Sequence, residues 1–251
     1  MTHLITSAAL LLALVAPAGA ATAPTAQDYA ALARLPDFGG VWYPDADPRD
    51  PPFMMLAPKT PLRPELRARL GGIKGGDQLP PGKGDSQSRA CTPGGMPGEM
   101  FSPFALEFLY TPGRVTIALE YDEQVRRIYT DGRAHDPDPD LTFNGESIGR
   151  WQGDTLVVDT TGLRPANIAQ NGLIPVTKPF HLTERYHLIG PNKLALDMAV
   201  DAPEVLTRPA QVHTTYTRHR DWSLREYVCE ENPRDTVDAN GNATINLEPT
   251  P

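Results

Sequence analysis

An all-β chain, folded as one antiparallel barrel behind a Pro- and Gly-rich arm with short helices, is predicted by three observations. Residues 121–133 and 147–162 alternate apolar and polar side chains and stop at Gly-containing turns, as half-buried strands do. Nine or ten such segments follow one another at close spacing, most of them from Phe104 onward. No helical stretch separates them, which argues against a parallel βαβ sheet.

The elements follow in chain order. Residues 1–20 read as a secretory signal peptide, with the apolar core Leu10–Val15 and a small-residue cleavage site at Ala18-Gly19-Ala20. That apolar run is shorter than the roughly 20 residues that span a bilayer, so the expected destination is periplasmic or secreted. Residues 21–37 form a helix and linker: Thr25 is the N-cap, Tyr29, Leu32 and Ala33 make the apolar stripe, and Pro36 stops the helix. A single domain is expected over 38–232, its first strand at 38–43. Within it, the arm 44–103 carries Pro and Gly every few residues and holds only one helical turn, at 64–70. Strands are then expected at 104–110, 114–120, 125–130, 147–151, 155–160, 181–189, 193–200, 211–219 and 223–229, and an extended polar tail over 233–251.

Charge and cysteine count narrow the partners. A net charge of −8 argues against nucleic acid, which selects a basic patch, and against anionic membrane surfaces. Export would place Cys91 and Cys229 in an oxidising compartment, where they form a bridge or stay two buried thiols. A bridge closing so long a loop contributes about 4–5 kcal/mol in the chain-entropy view.

Several motifs resemble those of a large family of exported bacterial proteins of unassigned activity. They are Cys91-Thr-Pro-Gly-Gly-Met-Pro97, Arg126-Arg-Ile-Tyr-Thr-Asp-Gly-Arg133 with His135, residues 147–159, His181-Leu-Thr-Glu-Arg185 and the segment 226–232. The segment 200–210 departs from the family pattern by lacking a Tyr and a Trp. Gly40-Val41-Trp42 after Phe38 resembles the first-strand Gly-x-Trp of lipocalin-like, calycin-type barrels. The resemblances imply that fold and an exported protein, and carry no activity with them.

Strand parity supplies the candidate chemistry. Glu184 falls on the apolar Leu182/Tyr186/Leu188 face, Glu226 on the Trp222/Leu224/Val228 face, and Arg127 on the Val125/Tyr129 face. A buried carboxylate must be paired, hydrogen-bonded or protonated. One reading is therefore an ion-pair network bracing the interior. The other is a pocket floor on which Glu184 serves as acid or base, assisted by His135 or His181, with Arg127 holding an anion. Tyr121, Tyr129, Tyr186, Glu226 and Trp151 complete the expected ligand-binding set.

Other motifs fail. Gly145-Glu-Ser-Ile-Gly149 matches a nucleophile elbow, but a hairpin and not a helix follows it. Asp136–Asp140 starts like a calcium loop and lacks its Gly and its terminal Glu. No H-x-x-x-H spacing, dinucleotide motif or phosphate loop occurs, so neither a metal nor a cofactor is expected, and a zinc site would need ligands from separate strands. The expected function is binding of a small apolar or aromatic molecule. The alternatives are a cofactor-independent lyase or isomerase and an envelope structural module.

Overall fold

The computed structural model describes residues 23–45, 60–70, 93–164, 176–227, 235–237 and 243–245. The signal-peptide segment, most of the arm, Cys91 and Cys229 lie outside the described residues, and the expected cleavage and bridge lie there with them.

Nine strands close into a barrel: β1 (Val41–Pro44), β2 (Leu106–Thr111), β3 (Arg114–Leu119), β4 (Val125–Tyr129), β5 (Glu146–Gln152), β6 (Thr155–Thr161), β7 (His181–Gly190), β8 (Lys193–Asp201) and β9 (Ala210–His219). Closure comes from β1 pairing antiparallel with β9 through Val41↔His219, Trp42↔Arg218 and Tyr43↔Thr217. The Gly-x-Trp segment sits at this seam. Gly40 adopts φ +96, a region that favours glycine, and delivers Trp42 to the interior. The indole N–H donates to the Phe38 carbonyl at 2.8 Å, and the Arg218 guanidinium lies 4.5 Å over the ring.

The barrel is all-β as expected, but one pair corrects the purely antiparallel reading. Strands β4 and β5 run parallel through Ile128↔Ser147 and Tyr129↔Ile148. A tight hairpin cannot join parallel strands, and residues 130–145 supply the long connection that such a pair needs. The expected strand 223–229 is also corrected: residues 222–227 are irregular. With β1 already hydrogen-bonded to β9, no sheet edge remains there to receive another strand. In the tail, β10 (Asp235–Val237) and β11 (Ala243–Ile245) pair antiparallel, so this stretch is not simply extended.

The period-2 pattern fills the barrel. Leu106, Phe108, Val115, Ile117, Ile128, Leu156, Val158, Leu182, Leu194, Leu196, Met198 and Val200 are all buried in one cluster. Short segments close the two ends. At one end the 3-10 turn Gly98–Phe101 buries Met100 and Phe101, and the Tyr216 hydroxyl donates to the Met100 carbonyl. At the other end Phe38 packs edge-on against Phe108 and tilts against Tyr110 and Trp151. Helix α1 (Ala26–Ala31) precedes it, closed by the expected Thr25 cap in a reciprocal capping box with Asp28. Helix α2 (Pro64–Leu70) forms at the one helical turn expected in the arm, and buries Leu66.

One turn glycine is under a steric constraint that predicts a measurable cost. Gly145 adopts φ +65, and a Cβ there would lie 2.5 Å from the Thr161 carbonyl oxygen. Gly145→Ala is expected to destabilise by more than about 1 kcal/mol, because strain and overlap act together. Urea denaturation of the two proteins side by side measures it.

Candidate functional site

Glu184 points into the barrel, as strand parity predicts, and is ion-paired there with Arg126 instead of Arg127. Ser147, Thr160, Leu182, Glu184 and Tyr186 project inward from β5, β6 and β7. From β4 the inward residues are Arg126 and Ile128, whereas Val125 and Arg127 are exposed. The expected role of Arg127 is therefore corrected. Register fixes the outcome: Arg126 pairs with Ile117 and Ile128 with Val115, both of them core residues. Tyr129 looked inward by pattern, but it is only partly buried and carries the Arg133 guanidinium 3.9 Å above its ring.

Arg126 is 1 % exposed and Glu184 0 % exposed. The guanidinium donates to Glu184 Oε1 at 2.8 Å, to the second Glu184 oxygen, and to Tyr186 Oη at 3.3 Å. Its Nε reaches Ser147 Oγ at 3.2 Å, and its remaining nitrogen reaches Ser147 Oγ at 3.1 Å and Thr160 Oγ1 at 3.0 Å. The Tyr186 hydroxyl donates to Glu184 Oε1 at 2.6 Å. Burial and then the adjacent carboxylate push the Tyr186 hydroxyl well above its ordinary range. Burial opposes the charge on Arg126, but Glu184 and Tyr186 together outweigh it and hold the guanidinium charged. All three guanidinium nitrogens are engaged, both carboxylate oxygens accept, and no atom of Glu184 faces solvent. This is the bracing network of the first reading, and it fills the space that a pocket floor would need.

His135 and His181 lie on the other face of the wall. Residues 181, 183 and 185 of β7 alternate outward while 182, 184 and 186 point in. The two histidines meet at one carboxylate: His181 Nε2 is 2.6 Å and His135 Nε2 3.2 Å from Asp159 Oδ1. His135 Nδ1 also lies 2.8 Å from Glu146 Oε2 and 3.3 Å from Thr161 Oγ1. The structure thus brings both histidines together but sets them on the opposite side of the sheet from Glu184, so they do not assist it. Among the described residues, no group of three or more His, Cys, Asp or Glu is arranged to hold a metal ion.

The remaining candidates scatter. Glu226 is exposed, because the strand expected to turn it inward does not form. Tyr121 packs against Phe104 and Tyr227 at 4.8 and 5.5 Å between ring centres, at the end closed by Gly98–Phe101. Trp151 stands at the opposite mouth.

That mouth carries an open groove of about 280 Å³. One wall is helix α1 and the turn that follows it, through Leu32 and Leu35. The other is the β2–β3 hairpin with Tyr110, Arg114 and Val115, and Trp151 lies alongside. The Tyr110 and Trp151 rings meet edge-to-face at 6.1 Å. The Tyr110 hydroxyl donates to the Pro36 carbonyl at 2.9 Å, which fixes the ring, and burial pushes its pKa up. The sequence flagged Trp151 and Leu32 separately, and nothing in their spacing places them in one groove.

One reactive-looking group escaped the sequence reading. Glu99 is 2 % exposed, its Oε1 accepts from the Gly95 N–H at 3.0 Å, and its Oε2 is buried without a hydrogen-bond partner. Burial first, and the nearby Asp122 carboxylate second among the raising influences, push its pKa to about 8. The close approach depends on glycine, since a Cβ on Gly94 would lie 3.2 Å from Glu99 Oε1. Only its neighbours in space identify it, because the surrounding Pro- and Gly-rich sequence has no period.

In comparisons with known proteins, no family model matches the chain and no curated protein matches it.

Proposed function

We propose that this chain is an exported, lipocalin-like binding protein whose ligand, a small apolar or aromatic molecule, occupies the groove between α1 and the β2–β3 hairpin. The observation that carries this reading is the contrast between two places. The barrel interior is filled by the Arg126–Glu184 network and its aliphatic surroundings. The α1 mouth instead offers an apolar and aromatic concavity with rings held in fixed orientation. Binding sites of this kind are concave, mainly apolar and preformed, and barrel mouths are a common place for them. The Gly-x-Trp strand at the closure seam supports the lipocalin-like assignment. Residues 1–20 and the motif resemblance support export and membership of the exported family.

The sealed carboxylate argues against Glu184 as an acid or base. A proton-transfer group must come within hydrogen-bond reach of its substrate, and Glu184 is enclosed by Arg126 and Tyr186. Its support is for stability.

Isothermal titration calorimetry with 1-naphthoate tests the groove. Leu32→Glu places a charge against the apolar wall from a half-buried helical position, and is expected to weaken binding at least about tenfold. Unchanged affinity in a folded Leu32→Glu protein would remove the groove from consideration.

A further inference from the structure

Among the buried side-chain polar atoms of the described residues that lack a hydrogen-bond partner, one lies on a residue of the groove itself. Arg114 opens β3 at the hairpin and lines the groove beside Tyr110, Val115, Thr130 and Trp151. Its Nε is buried and meets no hydrogen-bond partner. Buried donors are nearly always satisfied, so such a group points to an acceptor supplied from elsewhere. A guanidinium binds a carboxylate in a planar, charge-assisted geometry and is the side chain best suited to that task.

Resting on the groove reading above, we propose that the ligand is an aromatic or apolar carboxylic acid, its ring against Tyr110 and Trp151 and its carboxylate on Arg114. The acidic residue of the groove does not stand in the way. Asp28 is committed to the helix cap, taking both the Thr25 N–H and the Thr25 hydroxyl at 2.7 Å. These bonds hold its carboxylate below the ordinary range. Asp131, next to the hairpin, is likewise paired with Arg133, through contacts of 2.6 to 3.0 Å. The guanidinium of Arg114 is thus the groove cation whose buried Nε has no partner, and it lies beside a ring-lined wall. The ring supplies the apolar area and the arginine sets the orientation, the usual division of labour in a small-molecule site.

The test uses a matched pair of probes, 1-naphthoate and neutral 1-naphthamide, titrated calorimetrically into the intact protein, Arg114→Met and Leu32→Glu. Thermal melts establish that each variant is folded. The expected result is that the wild-type protein prefers naphthoate about tenfold or more. Arg114→Met should erase that preference while holding naphthamide within about twofold, and Leu32→Glu should weaken both probes. Equal affinities in the wild-type protein, or a preference that survives Arg114→Met, would overturn the carboxylate assignment and leave the groove standing. Failure of both probes to bind the wild-type protein would overturn the groove reading and this inference together. Loss of both probes in Arg114→Met but not in Leu32→Glu would likewise contradict the groove geometry.

Discussion

Arg126→Met is expected to lower the unfolding free energy by about 3–5 kcal/mol, the largest effect of any single substitution considered for the barrel interior. The reason is asymmetry. In the native protein the guanidinium satisfies Glu184, Ser147, Thr160 and Tyr186 at once. Removing it leaves a carboxylate with 0 % exposure, helped only by the Tyr186 hydroxyl. A buried charge that loses its partner carries its full desolvation cost. Replacing both members by apolar residues of similar volume is a different matter, because the desolvation cost of both charges disappears. Arg126→Met combined with Glu184→Leu and Tyr186→Phe is therefore expected to recover most of the loss, whereas the double variant without Tyr186→Phe recovers only part of it, because the buried Tyr186 hydroxyl loses both its partners. Ser147 and Thr160 lie 3.0 Å apart and can satisfy each other in either variant. Urea denaturation of the two single variants and the double variant gives the coupling directly, and that of the triple variant gives the recovery. A single-variant cost below about 1 kcal/mol would mean that water reaches the pair, and the interior would not be sealed.

Glu99→Gln is expected to act in the opposite direction, and its effect depends on pH. The native pKa of about 8 exceeds the ordinary value of 4.5. The folded protein therefore keeps a proton on Glu99 over a range in which the unfolded chain has released it. Stability from this group is fully present below about pH 4.5. It is lost as pH rises toward 8 and changes no further above that. At roughly 1.4 kcal/mol per unit, the whole window corresponds to about 3–5 kcal/mol. Glutamine imitates the protonated acid and keeps an acceptor for the Gly95 N–H. The variant is expected to match the parent at pH 4 and to exceed it by several kcal/mol at pH 9. The check is the difference between two stability-against-pH curves, since other titrating groups cancel in it. Parallel curves would show that Glu99 is ionised or solvated in the native protein.

Both substitutions probe groups whose place in the sequence hid them to different degrees. The strands were legible because period-2 alternation is a local property, and Val115/Ile117/Leu119 or Leu194/Leu196/Met198 announce a buried face without help. Parity failed at β4 because Val125 and Tyr129 look like a core face. Arg126 looks like a surface residue, and its burial depends on Glu184, 58 positions away. A stricter reading had one usable signal: Ile128, the strand's strongest aliphatic side chain, shares its face with Arg126 and not with Arg127. The convergence of His135 and His181 on Asp159 depends on β6 and β7 being neighbours and on the path of the 130–145 connection, which spacing alone does not encode. Glu99 and the groove are products of closure. They exist because short aperiodic segments cap the two ends of the barrel, and such segments leave no repeat to read.

A two-dimensional amide NMR titration with 1-naphthoate locates the binding site on the barrel. Shifts are expected to be confined to one mouth, at Leu32 and Leu35, at Tyr110, Thr111 and Gly113 to Val115, at Thr130 and at Trp151. The amides of Ser147, Thr160, Glu184 and Tyr186 should stay still, because the interior is occupied by the protein's own side chains. Shifts centred on those interior strands, with the α1 mouth unmoved, would contradict the groove reading and return the binding site to the barrel cavity.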